Sequence, residues 1–80
     1  MCGNKFNYRV LAVEEDDEIL LQIHRVYYDE NDIPIMYSEK PITIVEYSTK
    51  DLKKEIKRIK TSLSQPILYY GSRFPEIYKP

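Results

Sequence analysis

Residues 18–29, EILLQIHRVYYD, decide the fold. The run is β-branched and aromatic, contains neither Gly nor Pro, and alternates at a period of two, which is the pattern of a strand. One row carries Ile19, Leu21, Ile23, Arg25 and Tyr27, and the other carries Leu20, Gln22, His24, Val26 and Tyr28. The first row is the more apolar and is expected to face the core. Upstream, residues 6–13, FNYRVLAV, read as a partner strand with Phe6, Tyr8, Val10 and Ala12 on one face. Between the two lies EEDDE at 14–18, where mutual repulsion and poor strand propensity predict a solvated hairpin connection.

Downstream, Asn31 and Asp32 in the END triplet tolerate left-handed backbone and supply a second turn. A third strand is expected over 33–38, with Pro34 confining it to an edge or a strand start. Residues 42–47, ITIVEY, read as a further extended segment. A helix then begins at Ser48, a capping residue, with Asp51 three positions on and Tyr47 placed to staple onto Leu52. Its apolar stripe is Leu52, Ile56, Ile59 and Leu63, its solvated surface is lysine-rich, and Pro66 ends it. Residues 67–70 are expected to form a short last strand or packed extension. The expected class is α+β: an antiparallel sheet of three to four strands, one helix on one face, and a C-terminal extension. All 80 residues make one domain, with residues 6–70 as the folded core, polar and frayed residues 1–5, and 71–80 as a tail.

The strings FNYRV at 6–10, IHRVYYDE at 23–30, SEKP at 38–41, QPIL at 65–68 and RFPEIY at 73–78, together with Pro34, resemble a family of small uncharacterised bacterial proteins. Its members share an aromatic-Asn-Tyr-Arg-Val start, an Ile-His-x-Val-Tyr-Tyr-Asp centre and a Lys-Pro-Ile/Val-Leu element after the helix. The resemblance spans nearly the whole chain. It departs at Phe6, where Trp is usual, and at Asp32, where the turn usually has Gly; the second departure puts the geometry of the second hairpin in question. The family has no established activity, so the resemblance implies no catalytic residues.

Composition narrows the function classes. The chain has 80 residues, net charge −1, one Cys and one His. A domain of this length buries about 60% of the surface its unfolded chain exposes, leaving little stability for a large enclosed cavity. No apolar run approaches the roughly 20 residues of a membrane helix, and the start MCGNKFNYRV has no signal-peptide core. Cys2 has no partner for a disulfide and is expected to be an exposed thiol, which suits a reducing, cytoplasmic setting. Residues 1–39 hold three basic and nine acidic side chains, and residues 40–80 hold nine and four, a polarity suited to orienting a charged partner.

No nucleophile–base pair is expected: His24 is alone, Cys2 is terminal, and Asp29 lies an odd number of strand positions from His24 and so points away from it. With Gly3 and Gly71 the only glycines, no phosphate-cradling loop can form. The expectation is a non-enzymatic domain without cofactor, metal or catalytic residue. It acts as a protein-interaction or regulatory module, with a second copy of the chain among the candidate partners. The open sheet face or an edge would make the contact, through Arg25, Tyr28, Tyr37, Phe74 and Tyr78. The alternative is single-stranded nucleic-acid binding. In that reading Arg9, Tyr8, Tyr28, Tyr37, His24 and Arg25 are candidates for a stacking face, and Lys53, Lys57 and Lys60 hold phosphates.

Overall fold

The computed structural model describes residues 5–79; the expectations for Cys2, the rest of residues 1–4 and Pro80 lie outside them. Two long strands, β1 (Lys5–Glu15) and β2 (Glu18–Tyr28), pair antiparallel without a break from Lys5↔Tyr28 to Glu15↔Glu18. Lys5 thus belongs to the strand. The acidic connection is tighter than EEDDE implies: only Asp16 and Asp17 turn, both at positive φ (50° and 64°), the two-residue geometry that matches strand twist. Asp is among the few side chains that accept this backbone.

After β2, the Asp29 carboxylate accepts from the backbone N–H groups of Asn31 and Ile33, and Asp32 takes the left-handed conformation, φ 62°. Asp32 thus occupies a backbone position that favours glycine. Strand β3 (Pro34–Tyr37) follows as the outer edge, with Pro34 at its first position and a bulge opposite Tyr27 and Tyr28. Residues 42–47 do not form a strand. The Ile42 N–H bonds the Ile23 carbonyl at 2.9 Å, and the chain then leaves the sheet for the helix with Ile44, Val45 and Tyr47 exposed.

Helix α1 (Thr49–Ser62) starts where the cap predicts, the Ser48 hydroxyl accepting from the Asp51 N–H at 3.1 Å. Tyr47 is fully exposed, so the staple onto Leu52 does not form. The helix ends at Ser62, ahead of Pro66. Its sheet-facing stripe is also rotated from the expected one: Leu52, Glu55, Ile59 and Ser62 are the less exposed positions, while Ile56 and Leu63 remain 52% and 67% exposed. Tyr8 explains the rotation, because its hydroxyl donates to the Glu55 carboxylate and brings that residue onto the sheet. Ser62 is small enough for close approach and satisfies its own hydroxyl on the Ile59 carbonyl.

Strand β4 (Leu68–Tyr69) completes a sheet of order β3-β2-β1-β4 and runs parallel to β1, so the four-stranded sheet is mixed. Residues 71–79 then fold back. Ile77 bridges Leu68, the Tyr69 N–H bonds the Glu76 carbonyl, and Phe74 packs on Tyr37. The expected tail is therefore a structural layer covering the sheet face opposite the helix.

The register settles the two rows of β2. Ile19, Leu21, Ile23, Arg25 and Tyr27 pair with the β1 row that includes Phe6, Tyr8, Val10 and Ala12, on the helix side. Yet the wholly buried residues of β2 are His24 and Val26, on the other face with Leu11 and Leu68. The row expected in the core is the more open one.

Candidate functional site

The closed face is built around His24. Its Nδ1 stands 2.9 Å from the Ser38 carbonyl and its Nε2 3.0 Å from the Gln22 side chain. A carbonyl can only accept, so Nδ1 carries the proton and Nε2 accepts, with the Gln22 amide turned to present its NH2. Tyr37 and Tyr70 flank the ring at centroid distances of 5.9 and 5.5 Å. Burial lowers the imidazole pKa, opposed by the Ser38 hydrogen bond. His24 is thus a satisfied neutral core residue, and it lines neither hollow described below.

The same face absorbs most of the aromatic residues expected to meet a partner. Tyr37 accepts from the Gly71 N–H at 2.9 Å and packs on Phe74 at 4.7 Å and Tyr70 at 4.8 Å. Tyr28 donates to Asn7 and accepts from Arg9, both at 2.8 Å. Tyr78 stacks edge-on to Tyr69. Their surfaces are already engaged within the chain, Tyr37 by the C-terminal segment, Tyr28 by β1 and Tyr78 by Tyr69. Tyr69 shares the side of Ala12, so the Tyr69–Tyr78 pair lies on the helix side at the β4 edge; of the five, only Arg25 is exposed on that side.

The open region lies beside α1. The helix buries the β1 residues Tyr8, Val10 and Ala12, but their neighbours across the ladder are uncovered: Leu21 of β2 is 56% exposed, as is Met36 of β3, opposite Tyr27. At one end of this surface Arg25 sits 5.5 Å over the Phe6 ring, and Phe6 leans on Tyr27 at 5.8 Å. Tyr8 borders this cluster. Burial raises its pKa, reinforced by the hydrogen bond to Glu55 and opposed by Arg25, so the hydroxyl stays protonated. The surface is apolar at Leu21 and Met36 and cationic-aromatic at Arg25 and Phe6. Sequence reasoning missed Leu21 and Met36, although the exposure of one complete row was implicit in having a single helix.

The nucleic-acid residues do not converge. Lys53, Lys57 and Lys60 are exposed on α1, whereas Arg9 lies on the opposite sheet face and is 7% exposed. The acidic turn is ten residues along β1 from Lys5, roughly 33 Å at strand rise, so it does not stand beside Phe6 or Tyr27. Two hollows flank the Lys5–Phe6 end. A cleft of about 290 Å³ is lined by Phe6, Asn7, Tyr8, Arg58, Thr61 and Gln65. A wider hollow of about 540 Å³ shares Phe6, Asn7 and Gln65 and adds Lys5, Arg9, Tyr28 and Asp32. Among the described residues, no three His, Cys, Asp or Glu side chains stand close enough to share a metal ion, and no helix is long and apolar enough to cross a membrane. Comparison with protein-family models, with curated proteins and with solved structures gives no match.

Proposed function

We propose that this chain is a small non-enzymatic protein-interaction module working in the bacterial cytoplasm, with the open half of its helix-bearing face as the contact surface. The supporting observation is the step in exposure across one sheet face, from buried Val10 and Ala12 on β1 to Leu21 and Met36 at 56%. Leu21 and Met36, the latter beside Tyr27, stand near the two ends of one row, roughly 20 Å apart at strand rise, so a partner that spans the row desolvates both on a preformed sheet at little conformational cost. Leu21 and Met36 supply the apolar contact, and Arg25, already held over Phe6, supplies a charged anchor beside it. The acidic β1–β2 turn and the lysines of α1 orient the approaching partner through an ionic-strength-dependent field. A second copy of the chain is the first partner to test.

The experiment is light scattering coupled to size exclusion over a wide concentration range, followed by capture of partners from native lysate with and without nuclease. Concentration-dependent dimers that vanish in Leu21→Asp, or one protein retained in both lysate arms by wild type but not by Leu21→Asp, support the proposal. A monomer at all concentrations whose captured proteins depart with nuclease would replace it with single-stranded nucleic-acid binding around Arg25, Phe6 and Tyr27.

A further inference from the structure

Arg9 lies away from the proposed interaction surface. Its side chain is buried on the face opposite the helix, at 7% exposure, yet it makes no ion pair among the described residues. Its two hydrogen bonds go to neutral groups, Nη1 to the Tyr28 hydroxyl and Nη2 to the Pro66 carbonyl, each at 2.8 Å. Its Nε–H is buried without a partner. Each Nη has one neutral acceptor, so Nε–H is unsatisfied and the charge has no counter-ion among the described residues. A strap from β1 to the turn at Pro66 would account for Nη2 alone. Burying an unpaired cation is costly, and proteins meet that cost with a counter-charge.

The surroundings fit such a counter-charge. Arg9 lines the 540 Å³ hollow together with Lys5, Asn7 and Gln65, which bring an ammonium and two amides to the same space. Tyr28, itself fixed by Asn7, holds the guanidinium in place before anything binds. Asp32 is the one carboxylate on the rim, and it is held by the Lys5 ammonium at 2.7 Å. An incoming anion would compete with Asp32 for Lys5.

We propose that this hollow binds a small oxyanion, the phosphate or carboxylate group of a ligand, with Arg9 as its planar, multiply donating anchor and Lys5 as its second cation. The test uses the full-length, nitrogen-15-labelled chain and follows the Arg9 Nε–H resonance during titration with inorganic phosphate, with acetate, and with chloride as the ionic-strength control. A saturable shift with phosphate alone, acetate alone or both supports the site and names the source of the anion. Asp32→Asn is expected to tighten binding several-fold and Lys5→Ala to weaken it by a similar factor, since each changes one unit charge at the rim. Arg9→Lys keeps the charge but removes the fork and the reporting Nε–H; followed instead by the backbone amides of Asn7, Tyr28 and Gln65, it is expected to show no saturable shift. If that variant does not fold, the opposite effects of the two rim variants decide. An Nε–H signal that moves no more with phosphate or acetate than with chloride overturns the proposal, as do affinities unchanged in Asp32→Asn and Lys5→Ala.

Discussion

The two faces of the sheet are closed by different means and to different extents. On one, the irregular C-terminal segment spreads Tyr70 and Phe74 over Tyr37 and His24, and Leu11, His24 and Val26 below are wholly buried. On the other, a regular helix buries a single strand's row and leaves its neighbours open. The difference follows from widths. Four strands at about 4.8 Å spacing present a surface wider than the roughly 10 Å diameter of one helix. A helix carries its apolar stripe along a line, whereas an extended aromatic segment reaches sideways. The closed face is therefore where stability is concentrated, and the half-open face is where surface remains for a partner.

Two substitutions on the closed face test the first half of that division. Leu11→Ala removes a wholly buried side chain from the closed face and is expected to cost about 3 kcal/mol. In a domain whose total stability is of the order of 5 kcal/mol, that loss shifts the urea midpoint far enough to leave a substantial unfolded population. Phe74→Ala uncovers Tyr37 and is expected to cost about 2 kcal/mol by the same measurement. If Phe74→Ala proves neutral, the C-terminal segment is an ornament and the closed face is not closed by it.

His24 distinguishes the faces by pH. Burial holds its pKa below 6.5, so on the acid side of that value the unfolded chain binds more protons than the folded one. Stability therefore rises with pH through this window and is lost as pH falls below 6.5. The urea midpoint of wild type is expected to fall on acidification through this range. His24→Gln, which cannot titrate there, is expected to be less stable overall and to show a flatter dependence. An equal slope in both proteins would place the titrating group elsewhere.

Most of the architecture was legible because it is written in local pattern: the period-two rows at 6–13 and 18–29, the turn residues, and Ser48 as helix cap. What misled was the choice between the two rows of β2. Ile19, Leu21 and Ile23 outrank Leu20, Gln22 and His24 in apolarity, but burial was decided by what lay above each row. Gln22 shares the row of His24, but the Ser38 carbonyl that completes its satisfaction comes from beyond β3, and Phe74 comes from a segment with no periodicity. The rotation of α1 was hidden for the same reason, since it depends on Tyr8 meeting Glu55 across 47 residues. The apolar surface beside the helix was thus visible as a row and invisible as a surface.

The smallest expected change in stability is also the one that bears most directly on function. Leu21→Thr introduces a β-branched side chain suited to a strand and removes apolar surface from a position already 56% in water, so stability should change by no more than about 0.5–1 kcal/mol. Its cross-strand neighbour Ala12 stays buried beneath α1 and leaves no cavity behind. If the half-open face meets a partner, this nearly silent substitution should still reduce dimer formation or partner capture, because a desolvated leucine at an interface contributes only when the interface forms. Measured side by side with Leu11→Ala, it separates the two roles. Loss of association without loss of stability assigns Leu21 to recognition, and loss of both by similar amounts makes the open row part of the core after all.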